Sequence, residues 1–128
     1  MAKTKKPRVL IIDDDRPLCE LFAAHLRGEG YVPMIAEDAM QGFMFAQREL
    51  PDVILLDINM PAGGGMTVFD RLSKSAKTRE IPVVVVTAVS DSKVEADSTA
   101  RGARAVLHKP IDKDTLLKQV ASVLDSAD

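Results

Sequence analysis

The sequence predicts an α/β fold, (βα)5, with five strands in one parallel, doubly wound sheet. Three observations predict it. Short, β-branched apolar runs recur along the 128-residue chain, each too short for a helix. Longer segments between them carry apolar residues at helical spacing. Gly, Pro or Asp punctuates the junctions.

The elements follow in order. Val9-Leu10-Ile11-Ile12 reads as a strand buried on both faces. Leu18, Leu21, Phe22 and Leu26 then mark a helical stripe, with Pro17 in its first turn and Gly28 and Gly30 closing it. Tyr31 to Ala36 is a second short strand. Ala39, Phe43, Ala46 and Leu50 form the next stripe, stopped by Pro51. Val53-Ile54-Leu55-Leu56 is the third strand and runs directly into Asp57. Pro61-Ala62-Gly63-Gly64-Gly65 reads as a flexible turn; it lacks the lysine and hydroxyl residue of a P-loop. Met66, Phe69 and Leu72 mark a third helix. Ile81 to Val86 is the most β-branched strand. Asp91 to Arg101 is read as a polar helix with only Val94, Ala96 and Ala100 to bury. Ala103 to Leu107 is the fifth strand. Asp112 caps a last helix that faces inward through Leu116, Leu117, Val120, Val123 and Leu124.

The length suits one domain over 1–128, with residues 1–7 expected to form a flexible basic tail. A formal net charge of −2 argues against direct nucleic-acid binding, which needs a basic surface. The lone cysteine, Cys19, excludes an internal disulfide and is read as a small packed residue. Val9 to Ile12 is too short for a signal peptide, and no window suits a membrane helix, so a cytoplasmic protein without membrane contact is expected. His25 is expected on the surface. Met40, Met44 and Phe45 are expected to be core, with a contact surface as the other reading.

In open parallel sheets, ligands bind at the carboxyl ends of the strands. The residues leaving four strands there are Asp13-Asp14-Asp15, Asp57, Thr87-Ala88 and His108-Lys109-Pro110. Clustered carboxylates repel one another unless a cation joins them. A hard divalent ion such as Mg²⁺ answers that repulsion. Asp57, alone after its strand, is placed to accept a phosphoryl group as an acyl phosphate. Lys109 and Thr87 would then meet the transferring charge. Asp15 fits a helix N-cap better than a ligand.

These motifs together resemble a response-regulator receiver domain over essentially the whole chain. They are Ile11-Ile12-Asp13-Asp14-Asp15, Leu56-Asp57-Ile58-Asn59-Met60-Pro61 with Gly65 beyond, Val86-Thr87-Ala88, and His108-Lys109-Pro110-Ile111. The resemblance implies a flavodoxin-like sheet of strand order 2-1-3-4-5. It implies phosphorylation at Asp57 and Mg²⁺ held by Asp13, Asp14, Asp57 and the backbone carbonyl of Asn59, with Asp14 favoured over Asp13 as direct ligand. Thr87 would follow the phosphoryl group, Lys109 would pair with it, and Lys109-Pro110 would be cis. The donor would be a histidine kinase or phosphotransfer protein, docking against Leu18 and Leu21, and the output an unspecified downstream protein. The chain would catalyse only its own phosphorylation and slow dephosphorylation. Val106 departs from the family, which carries an aromatic residue or histidine there. The usual coupling to the surface is therefore in question, and His108 is not assigned that role. Two other readings stand beside this one. A pseudo-receiver would bind partners without phosphorylation. A phosphatase of the haloacid dehalogenase type would need a second aspartate where Asn59 stands.

Overall fold

The computed structural model describes residues 6–60, 64–88 and 92–126. Strands β1 (Arg8–Ile12), β2 (Val32–Ala36), β3 (Val53–Asp57), β4 (Val83–Thr87) and β5 (Ala105–His108) alternate with helices α1 (Arg16–Gly28), α2 (Ala39–Glu49), α3 (Gly64–Lys74), α4 (Ser92–Ala100) and α5 (Lys113–Ser126). The sheet is wholly parallel, in the order β2-β1-β3-β4-β5. Every strand-to-strand return therefore needs a helix, which is what the alternating pattern supplies.

Successive side chains of a strand point to opposite faces. Leu10, Ile12, Ile54, Leu56, Val83 and Val85 pack with Ala46 of α2 and with Val68, Phe69 and Leu72 of α3. Val9, Ile11, Val53, Leu55, Val84 and Val86 pack with Cys19, Phe22 and Leu26 of α1 and Leu116, Val120 and Val123 of α5. Both faces are thus covered, and this explains why the central strands read as unbroken apolar runs.

Several sequence expectations shift by a turn or a face. Leu21 is 50% exposed, and Cys19 and Ala23 complete the inner face of α1 in its place. In α4, Ala96 and Ala100 are exposed, Val94 is half-buried and Ser98 is the buried residue, its hydroxyl donating to the Val94 carbonyl at 2.8 Å. A short polar residue can go inside when its own helix satisfies it. Asp91 lies outside the described residues. Pro7 accepts a hydrogen bond from the Val32 amide at 2.8 Å, so the predicted tail does not extend to it; residues 1–5 lie outside the described part. His25 is half-buried rather than exposed.

Leu50 is not part of the α2 stripe. It caps the helix in the left-handed region, φ 47°, with its side chain 49% exposed. A Cβ is strained there, and only about half of the side chain is buried in return. Relief of about 1–2 kcal/mol of strain is opposed by about 0.5–1 kcal/mol of added chain entropy, so Leu50→Gly is expected to stabilise the fold by at most about 0.5 kcal/mol, seen as a slightly higher urea midpoint at unchanged slope.

Candidate functional site: an acidic pocket at the carboxyl edge of the sheet

The strand order reverses direction between β1 and β3, and such a point opens a crevice beyond the strand ends. Ile12 pairs with Leu56 there, so Asp13 and Asp57 emerge side by side. Asp57 is itself the last residue of β3, opposite Val86 of β4. Thr87 ends β4 opposite His108 of β5, and the Lys109 amide donates to the Thr87 carbonyl at 2.8 Å. The backbone ladder alone therefore brings Asp13, Asp57, Thr87 and Lys109 to one edge.

Side-chain hydrogen bonds then fix them. Asp13 is buried; its Oδ1 accepts from the Asp15 amide at 2.9 Å and its Oδ2 from Lys109 Nζ at 2.9 Å. Lys109 Nζ also stands 3.7 Å from Asp57 Oδ2, so one ammonium spans both buried carboxylates. The Asp57 Oδ1 accepts from the backbone amide of Asn59 at 2.9 Å, which helps orient the carboxylate. Asp15 is the N-cap of α1, its Oδ1 accepting from the Leu18 amide at 3.1 Å, as expected of it. The Lys109-Pro110 peptide is cis, also as expected.

Charge follows from this burial. Burial raises the pKa of Asp57 first; the Asn59 amide opposes that, the charge of Asp13 adds to it and Lys109 opposes it, leaving the carboxyl above its ordinary range. Burial works to lower the pKa of Lys109, but the hydrogen bond and charge of Asp13, with Asp57 behind, leave it raised. The ammonium is thus a fixed positive charge at neutral pH.

Asp13, Asp14 and Asp57 each offer an oxygen within 4.8 Å of the other two, with Asp14 exposed and the other two buried. When all are ionised, these three carboxylates outweigh the single Lys109 ammonium. Hard oxygen donors with an exposed side open to water are the donor set a Mg²⁺ ion takes. The residues present fit that ion.

Four features of the site were not legible as such in the sequence. Asn59 was expected to contribute its backbone carbonyl; its side chain is also engaged, Nδ2 donating to Thr87 Oγ1 at 2.7 Å. The Thr87 side chain is fully buried and held toward Asn59. Cys19 is indeed packed, but its Sγ also donates to the Asp13 carbonyl at 3.3 Å, and burial, reinforced by the charge of Asp13, pushes the thiol up to about 12. Gly65 is no part of a flexible turn: Gly64 and Gly65 lie in α3, and Gly65 sits directly against the backbone of Asp57 and Ile58. Pro61, Ala62 and Gly63 lie outside the described residues. A glycine eight residues after a strand-end aspartate carries no local signal of close packing.

Toward the surface, Val106 is half-buried against the core on the α2–α3 side of the sheet. His108 is exposed, its Nε2 3.3 Å from Glu95 Oε1 of α4. Leu21 is the exposed member of the Leu18–Leu21 pair on α1, and Leu18 is half-buried.

A family model described as the response regulator receiver domain matches residues 9–121, nearly the whole chain. The chain belongs to that family. Among curated relatives, this receiver is 38% identical over 117 residues to the protein PilH of Pseudomonas aeruginosa, covering 91% of this chain and 97% of that one. It is 38% identical over 116 residues to the response regulator PleD of Caulobacter vibrioides, but there it covers only 26% of the relative. It is 35% identical to RpaA of Synechocystis, a DNA-binding dual master transcriptional regulator, and spans 51% of its length. Among solved structures, a CheY-like receiver domain protein of Methanospirillum hungatei superposes with a TM-score of 0.89 at 27% identity, covering 96% and 97% of the two chains. The chemotaxis response regulator CheY4 of Vibrio cholerae superposes with a TM-score of 0.86, also at 27% identity, over 93% and 99%. Receivers are regulatory signalling domains of two-component systems rather than classical enzymes. Among the described residues of this receiver, no helix is long and apolar enough to cross a membrane.

Proposed function

We propose that this receiver takes a phosphoryl group onto Asp57 from the phosphohistidine of a histidine kinase or phosphotransfer protein, with Mg²⁺ bound, and loses it slowly by its own hydrolysis. The observation that carries this reading is the Lys109 ammonium placed 3.7 Å from Asp57 Oδ2 while anchored on Asp13 at 2.9 Å. A carboxylate in that position is buried, oriented and backed by a fixed cation.

Each residue then has a task. An Asp57 oxygen forms the new bond to phosphorus as the phosphorus–nitrogen bond to the donor imidazole breaks; the bond's electron pair stays on that nitrogen, and the imidazole leaves neutral because its other nitrogen already carries a proton. Lys109 meets negative charge on the transferred group. Thr87 supplies a hydroxyl once it exchanges its bond with the Asn59 side chain for one to the phosphoryl oxygens. Asp13, Asp14, Asp57 and the Asn59 carbonyl would hold Mg²⁺, which when bound supplies charge neutralisation for the phosphoryl oxygens. The Thr87 shift is the internal signal that alters binding of a downstream protein. Val106 leaves that signal without a ring to swing, so the readout runs through smaller displacements of β5 and of α4, which the His108–Glu95 contact joins. A cytoplasmic setting and a single-domain organisation belong to the same proposal.

A phosphatase of the haloacid dehalogenase type gains no support, because Asn59 cannot give up a proton as a general acid and its amide already serves Thr87.

The test uses acetyl phosphate as a small phosphodonor, which bypasses any kinase. The intact protein is expected to gain the mass of one phosphoryl group in the presence of Mg²⁺, at Asp57 by borohydride trapping and peptide mapping. Chelation is expected to prevent the gain. Labelling that survives chelation, falls on another residue, or does not occur with Mg²⁺ would overturn the proposal, the last outcome in favour of a pseudo-receiver.

A further inference from the structure

Helix α2 has two unlike sides. Its fully buried residues are small, Gly42 and Ala46, with Phe43 and Phe45 half-buried against the core beside them. Its outer side carries Met40 and Met44, one turn apart, which are 71% and 54% exposed rather than core. They form a ridge with a shallow groove on each side, one walled by Gln41 and Phe45, the other by Phe43 and Gln47. The core does not need these methionines, and flexible thioethers on a surface suit an adaptable contact.

The charges lining the groove beside Met44 are basic, while the one charged residue lining the other groove is Asp38. Arg48 lies over the Phe45 ring at 5.0 Å, and Arg71 of α3 over the Phe43 ring at 5.6 Å. Lys77 lines the second groove beside Met44. Glu49, the nearest acid of α2, is shared between Arg48 at 3.0 Å and Arg8 at 2.5 Å, so a positive charge is left over. Neither Arg71 nor Lys77 has a carboxylate partner among the described residues. Asp38 borders the first groove at the opposite end of the helix, and its Oδ1 is committed to the Gln41 amide as an N-cap at 2.8 Å.

We propose that the outer face of α2 docks an amphipathic helix of a partner protein, apolar along one stripe and acidic beside it. The methionine ridge and its two grooves run along a helix axis, the shape into which a second helix packs ridge into groove. Complementary charge names the sign: glutamates or aspartates flanking the partner's stripe would meet Arg48, Arg71 and Lys77. A second copy of this chain fits worse. A twofold pairing of this face with itself would oppose two surfaces that both carry Arg48, Arg71 and Lys77.

The test follows Met methyl signals of the 128-residue chain by NMR. The probe is a designed helical peptide with leucines at helical i, i+3, i+4 and i+7 positions and glutamates on the flanks. Its counterpart has lysines on the flanks. The glutamate peptide is expected to shift the Met40 and Met44 methyls saturably, and added salt to weaken it. Met44→Glu, at an exposed position, is expected to weaken binding about tenfold, and Lys77→Glu about threefold. Asp57→Asn is expected to leave it unchanged, which separates this surface from phosphorylation. Equal binding of the lysine peptide, no saturable shift, or methyl shifts that follow protein concentration without any peptide would each overturn the proposal. The last would assign the face to a second copy.

Discussion

Asp57→Asn is expected to abolish phosphoryl labelling while making the folded chain more stable at neutral pH. The first effect is chemical, since an amide is not a nucleophile toward phosphorus. The second follows from what Asp57 endures in the fold. It is buried next to another buried carboxylate, and Lys109 is closer to Asp13 than to Asp57, at 2.9 Å against 3.7 Å. Asparagine keeps an oxygen to accept the Asn59 amide and removes both the desolvation and the repulsion. A gain of order 1 kcal/mol in metal-free buffer is expected, in line with replacements of buried charge by neutral groups of similar size. The pH dependence has a definite sign. Burial raises the Asp57 pKa above the ordinary 3.8, so the folded state holds this proton more tightly than the unfolded chain. Below that ordinary value both states are protonated and the ionisation penalty is absent. As pH rises through the raised pKa, the wild type loses stability that the variant keeps. The advantage of Asp57→Asn should therefore open between acidic and neutral pH and then level off. Mg²⁺ should narrow it, because an ion bound only by the folded wild type stabilises that state by mass action. Denaturant titrations at several pH values, with and without Mg²⁺, measure all of this. A variant less stable than wild type at neutral pH would show that Lys109 already compensates Asp57 in full.

The same placement explains what could be read from the sequence. Strands buried on both faces leave unbroken β-branched runs, so β1, β3 and β4 were visible at once, and the residues leaving them marked the site. The order of strands across the sheet left no trace in periodicity; only the resemblance carried it. Helical spacing locates a stripe but not its edges, and so Leu21 and Leu50 were assigned to the core. Leu50 fails for a further reason: the chain turns at that residue through a left-handed conformation that leucine seldom signals. Met40 and Met44 are as hydrophobic as core residues, and nothing in composition says that α2 is anchored by Gly42 and Ala46 instead. At the site, residue types gave the carboxylates and the lysine. The amide of Asn59 on Thr87 joins residues 28 apart in sequence, a contact that spacing alone does not encode.

Gly65→Ala is expected to be the most damaging single-methyl change at the site. A Cβ built at Gly65 would lie 2.5 Å from the carbonyl oxygens of Asp57 and Ile58 and would collide with the Ile58 Cα as well. All three are backbone atoms of the turn leaving β3, so no side chain can rotate away. Relief requires α3 to move off the sheet, and α3 is anchored by buried Val68, Phe69 and Leu72. The cost is expected at the upper end for overpacking, about 3 kcal/mol or more. The displaced turn is also the one that orients Asp57 and Asn59, so acetyl phosphate labelling of whatever remains folded should slow. Two other glycines calibrate the claim. At Gly42 the added carbon would meet the buried Ile12 side chain, 2.7 Å from its Cδ1, 2.9 Å from Cγ2 and 3.0 Å from Cγ1, but these are side-chain atoms, which can give way where backbone cannot. Gly42→Ala is therefore expected to cost less, about 1–2 kcal/mol. At Gly28, in the last turn of α1, nothing lies within 4 Å, and Gly28→Ala should be neutral or stabilising by up to about 1 kcal/mol through helix propensity. Urea midpoints of the three variants should fall in the order Gly28→Ala, Gly42→Ala, Gly65→Ala, from most to least stable. If Gly65→Ala unfolded at the same midpoint as Gly28→Ala, α3 would not be fitted against the Asp57 turn, and the rigid seat argued for the phosphoacceptor would be lost with it.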